Sequence, residues 1–294
     1  IFLTNVVHVF FNYALIYGFW VFPKMGVVGA ALGTVISRVM MVVFMHVLLQ
    51  YNRELKTYFS GFSWRNLQRS VLRKIGSLGL PSAMQMLFEV TLFTAAIWLS
   101  GSIGKTSQAA NQIALTLATT TFMFAMGLNV TAMIRVGNQK GLGDYKNLIV
   151  VARSIFLLTI ILETIFASLF LLLHNFLPHL FLNMDEATQA LDNTEVIAIA
   201  AKLLIVAAFF QISDGMQVVV LGALRGLQDV KVPMYITFVA YWVVGFPISI
   251  YLGIYTNLKA TGIWIGLLAG LTVAALFLYL RFDKLTRMLR EQNS

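Results

Sequence analysis

A chain of 294 residues with 59% hydrophobic and 11% charged residues, and a mean hydropathy of +0.81, is too apolar for an ordinary soluble domain. Zero cysteines exclude disulfides and thiolate metal sites. The net charge of +9 sits in loops rather than on a continuous basic face, which argues against a nucleic-acid partner. Hydropathy over a window of about 19 residues predicts an all-α, polytopic membrane bundle. Its spans fall near 1–20, 28–50, 76–100, 113–136, 147–173, 196–224, 232–256 and 259–280. Between the second and third, residues 51–75 carry Arg53, Lys56, Arg65, Arg69, Arg73 and Lys74 around Trp64 and Leu67. That pattern reads as a polar linker ending in an amphipathic helix on the membrane surface, and as the boundary between two bundles.

Loop charges orient the chain. Lys24 stands alone, the six basic residues of 51–75 follow, and Lys105 again stands alone. Arg135, Lys140, Lys146 and Arg153 form the next basic connection. The 174–195 connection holds Asp185, Glu186, Asp192 and Glu195 with no Lys or Arg. Arg225 and Lys231 come next, then a lone Lys259, then Arg281, Lys284, Arg287 and Arg290. Rich and poor loops alternate, so the rich ones and the carboxy terminus are expected in the cytoplasm.

Two carboxylates interrupt the spans. Glu89 lies roughly 20 Å along its helix from Gly76, and Asp214 roughly 16 Å from Arg225. Both depths are near half of a hydrocarbon core about 30 Å thick. An ionisable group at that depth usually faces a cavity, a partner or an ion pathway. Gln85 precedes Glu89 by one turn, and Gln211 and Gln217 flank Asp214 at i−3 and i+3, so oxygen-bearing side chains share helix faces with the acids. Thr91, Asn111 and Gln112 are further candidates. Such a set suits Na⁺, a hard cation that prefers several oxygens. The same pair is equally able to hold a proton, because burial and a second acid both favour the neutral carboxyl.

An internal similarity adds to the domain reading. Gly29-Ala30-Ala31-Leu32-Gly33 resembles Gly262-Ile263-Trp264-Ile265-Gly266, each opening a helix that ends in a basic segment. Spans one and two then match spans seven and eight. Residues 1–50 are expected to be the last two helices of an amino-terminal lobe, 51–75 a cytoplasmic linker, 76–280 a complete six-helix lobe and 281–294 a basic cytoplasmic tail. With Ile1 falling inside a span, the expectation is part of a protein of about twelve spans in two parallel repeats.

Three blocks then resemble the multidrug and toxin extrusion (MATE) transporters, over essentially the whole chain. The first is Gly79-Leu80-Pro81 with Phe88-Glu89. The second is Ala109-Ala110-Asn111-Gln112-Ile113-Ala114-Leu115, closing with Val136-Gly137-Asn138-Gln139-Lys140-Gly141. The third is Asp214-Gly215-Met216-Gln217, Gly222-Ala223-Leu224-Arg225-Gly226, Tyr241-Trp242 and Pro247. The resemblance implies an antiporter in the bacterial inner membrane, a monomer among membrane lipid, exporting small amphipathic cations while Na⁺ or H⁺ runs inward. It implies no cofactor beyond the coupling ion. By similarity, Glu89 and Asp214 take the acidic positions of the carboxy-terminal lobe's cation site, with Na⁺ as the candidate metal. Family members with Na⁺ there often carry Tyr four residues before the acid. This chain has Phe210, which lacks that oxygen and leaves Phe210 as a lining candidate.

The remaining polar residues point less clearly. Glu163 is mid-span without a family motif around it, open to an interhelical bond or a function. Arg38 lies inside the second span. Arg225 and Asp229 sit at a helix end where a structural cap or gate contact fits best. His174 and His179 are not a convincing metal pair. Met86, Phe93, Met123, Phe124 and Met216 are candidates for an adaptable apolar pocket. No nucleophile elbow, phosphate-binding loop or His-Glu metal pattern occurs, so neither an enzyme nor an ATP-driven pump is expected. The alternative is a flippase for lipid-linked saccharides. That would place several Arg or Lys in its cavity, whereas these spans hold mainly acids, which favour a cationic passenger.

Overall fold

A computed structural model describes residues 2–19, 21–51, 68–182 and 190–291. The fold is all-α. It divides into two compact units, residues 1–72 and 73–294. Of the helices α1 (Phe2–Tyr17), α2 (Val27–Tyr51), α3 (Arg69–Ile103), α4 (Lys105–Leu142), α5 (Tyr145–Leu173), α6 (Ala190–Gly226), α7 (Lys231–Ile254) and α8 (Ala260–Glu291), seven, α2 to α8, are long and apolar enough to cross a bilayer. The shorter α1 occupies the first expected span. The surface helix expected within 51–75 falls mainly on residues outside the described ones, and Arg69, Arg73 and Lys74 stand on the first turns of α3.

In the first unit, α1 and α2 form a hairpin in which Gly29 meets the backbone of Leu15 and Gly33 meets Asn12, with no room for a Cβ. The α7–α8 hairpin repeats the pattern: Gly262 meets Leu252 and Gly266 meets Ser249. The partner residues are three apart in both hairpins and the glycines four apart, so the similarity seen in sequence is the same close helix crossing made twice. Small residues drive such crossings in a membrane, where lipid removes the hydrophobic reason for helices to associate. Further along α8, Gly270 meets Gly245 of α7, with a Cβ at Gly270 only 2.9 Å from the Gly245 Cα.

In the second unit, α6 is the central helix and packs against α4, α5 and α8. Gly222 meets the backbone of Asn129, and a Cβ at Gly226 would stand 2.6 Å from the Met133 carbonyl oxygen. α4 begins at Lys105, eight residues ahead of the expected 113, because the polar-looking stretch is buried: Ser107, Ala110 and Asn111 face the bundle. Its far end is closed by Gly143 in the left-handed conformation (φ 72°), whose N–H donates to Lys140 O at 3.1 Å. Asp144 then caps α5 by accepting from the Asn147 N–H at 3.0 Å. α7 carries a π turn over Val239–Gly245, in which the Phe246 N–H reaches back to Tyr241 O. Pro247 follows with no N–H to continue the α ladder.

One end of this unit is tied by polar contacts. Lys140 Nζ donates to Leu227 O at 2.6 Å, and Arg281 Nε pairs with Asp229 at 2.7 Å. The basic residues expected in a tail, Arg281, Lys284, Arg287 and Arg290, continue α8 as helix, and Arg287 pairs with Asp283 one turn back at 2.6 Å.

Candidate functional site: an acidic cleft between α3, α4 and α6

α3 meets the bundle through side chains. Phe93 and Phe210 make an edge-on ring contact at 6.0 Å and Phe88 meets Phe238 at 5.0 Å, while Leu92 and Ala96 enter the core. Between α3, α4 and α6 lies a cleft of about 1000 Å³. Glu89 and Asp214 both stand in its wall, with Phe93, Thr94, Gln112, Thr116, Met123, Phe124 and Phe210 among the other lining residues. Large aromatic and methionine surface beside a few polar groups is the usual composition of a small-molecule site.

The two acids differ in setting. Glu89 is partly buried. Asp214 is 5% exposed, and its Oδ1 has no hydrogen-bond partner among the described residues. Asp214 lies within electrostatic reach of Glu89 and also of Glu163, while Glu89 feels the Arg225 guanidinium. Tyr241, fully buried in the π turn of α7, is within electrostatic reach of Glu89, Asp214 and Arg225, and its hydroxyl has no partner among the described residues. The cleft wall therefore carries two acids, and among the described residues the Arg225 guanidinium is in electrostatic reach of Glu89.

The other candidates separate into lining groups and ties. Gln112 is exposed and Phe210 buried, and both line the cleft. Gln85 is buried and fully engaged: its Nε2 donates to Val230 O at 3.0 Å, and its Oε1 accepts from Arg225 Nη2 at 3.1 Å. It joins α3 to the α6–α7 connection. Gln211 accepts from Thr121 Oγ1 at 2.9 Å, with its Nε2 unpartnered. Asn111 accepts from Trp264 Nε1 at 2.8 Å, which ties α4 to α8. Gln217 is fully buried and neither amide atom has a partner among the described residues. Among the described residues, no three His, Cys, Asp or Glu converge closely enough to hold a metal ion. Of the apolar candidates, Phe93, Met123 and Phe124 line the cleft, Met86 is exposed, and Met216 packs against the buried cluster that includes Ala125, Phe156 and Val219.

Tyr241 and Glu163 were not assigned to the site from sequence. Tyr241 stood in a family block without a role. Glu163, the remaining acid at mid-span depth, gave no signal beyond that depth. Arg38 is exposed, and His174 and His179 each bond a backbone carbonyl of their own turn, Leu171 O and Asn175 O.

The family model described as MatE matches residues 81–251, more than half of the chain. The chain belongs to the MatE family. It is 36% identical over 277 residues to a "Probable multidrug resistance protein NorM" of Agrobacterium fabrum, covering 94% of this chain and 58% of that protein. It is also 36% identical over 282 residues to the "Multidrug resistance protein NorM" of Burkholderia vietnamiensis, covering 95% and 59%. This MatE chain thus spans about three-fifths of the length of these relatives. Its fold is similar to that of the eukaryotic MATE transporter AtDTX14, with a TM-score of 0.82 at 21% identity, over 99% of this chain and 63% of the other. The two NorM relatives are multidrug resistance proteins by name and AtDTX14 a transporter by name, and the multi-span all-α fold of this chain is similar to that of AtDTX14.

Proposed function

We propose that this chain is the greater part of a secondary active multidrug exporter, which moves small amphipathic cations outward in exchange for inward Na⁺ or H⁺. The observation that carries this reading is the cleft of about 1000 Å³ with both mid-span carboxylates in its wall. Its aromatic and methionine surface accepts varied apolar bodies, and its two acids supply the attraction for positive charge. Among the described residues no Arg or Lys lines it, which weighs against an anionic lipid-linked saccharide as passenger. The NorM relatives' names support drug resistance as the physiological output.

One acidic cleft can alternate between passenger and coupling ion because both need the same negative charge. A proton or Na⁺ that neutralises the carboxylates removes the passenger's partner, so each ligand weakens the other by the same factor. The complete protein in liposomes is expected to accumulate a fluorescent organic cation when protons or Na⁺ are more concentrated inside the vesicle than outside, because ions leaving down their gradient drive the dye in by exchange. Binding of the same dye should weaken as pH falls or Na⁺ rises, with Glu89→Gln flattening that dependence. Dye binding indifferent to both ions would remove the carboxylates from the mechanism.

In the proposed orientation, in a bacterial inner membrane, the basic ends of the helices face the cytoplasm. The chain has no cysteine, so single introduced ones report without background. Ser70 at the start of α3 and Asn257 between α7 and α8 are both exposed. A cysteine at 70 is expected to be shielded from an impermeant thiol reagent in intact cells and one at 257 to react; the reverse labelling would overturn the orientation.

A further inference from the structure

We propose that Glu163 is a proton-holding partner of Asp214, set behind the cleft wall, and that the two carboxyls exchange a single proton. Glu163 sits on α5 and is 1% exposed, and neither of its carboxyl oxygens has a hydrogen-bond partner among the described residues. Thr159, one turn earlier on α5, donates its hydroxyl to Ile155 O at 2.8 Å. The side chain lies against Gly215, the residue after Asp214: a Cβ at Gly215 would be 2.7 Å from Glu163 Cγ and 3.0 Å from its Oε1. Gly215 therefore leaves space for Glu163 to press onto α6 beside the cleft acid, and Asp214 feels its field.

A structural carboxylate in a membrane interior is held by donors, and this one has none. An unpaired buried charge is costly, so this position favours the neutral carboxyl and makes an ionised Glu163 a strong acceptor for a proton. A proton neutralises it in place. Na⁺ would need several oxygens around it, and Glu163 is not among the residues lining the cleft from which a cation would enter. The exchange conserves charge: Asp214 gives its carboxyl proton to the Glu163 carboxylate, leaving Asp214 ionised in the wall and Glu163 neutral behind it. Asp214 is then free to meet a cationic passenger, and the reverse transfer resets it. The other titratable groups in electrostatic reach of Asp214 or of the Glu89 beside it are Arg225 on α6 and Tyr241 on α7. The coupled pair titrates as a unit, with steps that belong to both residues.

The inference rests on the antiport reading above and deepens it. Its test is infrared difference spectroscopy of the complete protein between acid and alkaline buffers, which records the carbonyl bands of protonated carboxyls. Glu163→Gln is expected to remove one band and to shift the Asp214 band, identified as the one lost in Asp214→Asn. A Glu163→Gln spectrum superimposable on the wild type overturns the proposal. So does loss of one band with the Asp214 band unmoved, because Glu163 would then titrate alone. If Glu163→Gln does not accumulate, isotope-edited glutamate in the unmutated protein and in Glu89→Gln carries the test. A labelled, pH-dependent band that survives Glu89→Gln and shifts in Asp214→Asn supports Glu163; no such band overturns it. Ion-driven dye transport by the unmutated protein separates the two levels: its absence sinks the antiport reading itself, whereas transport present there with a Glu163→Gln spectrum superimposable on the wild type sinks only the pairing.

Discussion

Asp214→Asn in the complete protein is expected to reduce ion-driven dye transport to that of protein-free liposomes while leaving the protein folded and in the membrane. The substitution keeps the shape of the side chain and removes only its charge. Folding should survive for a specific reason: Asp214 is 5% exposed, and among the described residues its Oδ1 has no partner and it forms no ion pair. A buried charge that is unpaired costs several kcal/mol rather than contributing stability, so its neutral isostere is expected to be as stable or more so. Transport has the opposite dependence. Without the carboxylate, the cleft keeps Glu89 but loses the acid that is most removed from water, where a charge acts most strongly on a ligand. Vesicle transport together with a thermal unfolding curve checks both halves. Undiminished transport would remove Asp214 from the mechanism.

Gly222→Leu is the variant expected to damage the fold most. Gly222 of α6 lies against the backbone and side chain of Asn129 on α4 with no room for a Cβ, and Gly226, one turn on, approaches the Met133 carbonyl oxygen and Gly137 N. A leucine cannot be absorbed by a rotamer change, because what it meets is backbone. The two helices must part, breaking the contact that places the α4 wall of the cleft opposite Asp214. Overpacking of a core typically costs about 1–3 kcal/mol and sometimes more, and a backbone-to-backbone crossing lies at the upper end. The expected result is loss of monodisperse protein in detergent extraction or a clear fall in unfolding temperature. Gly127→Leu on the same α4 is the control, since nothing lies within 4 Å of a Cβ there, and it should behave as the parent. Equal behaviour of the two variants would show that the α4–α6 crossing does not limit stability.

The difference between what was legible in the chain and what was not follows the range of the forces. The spans could be read because apolarity over a bilayer's thickness is a local property, and each expected span has its helix. Boundaries slipped where burial, not composition, decides: α4 runs back to Lys105 because Ser107 and Asn111 find partners or cover inside the bundle. The π turn of α7 had only Pro247 to announce it. The glycine pairs at 29 and 33 and at 262 and 266 were visible as a pattern, yet only their contacts on Leu15, Asn12, Leu252 and Ser249 show them to be one crossing made twice.

By itself, then, the sequence determined the all-α membrane class, the helices that carry Glu89 and Asp214, and the depth of both acids, since hydropathy and a rise of about 1.5 Å per residue need no partner. Tertiary structure decided which polar groups meet. Gln85 and Gln211 looked alike as amides one turn from an acid. Packing turned Gln85 into a tie between Arg225 and Val230 and left Gln211 beside Thr121 with an amide hydrogen-bond donor unused. Glu163 had no neighbour in sequence to mark it. It comes to lie against Gly215, the residue after Asp214, only because α5 crosses α6 there, 52 residues along the chain from Glu163, and a crossing between distant segments is set by the shape of both helices rather than by the composition of either.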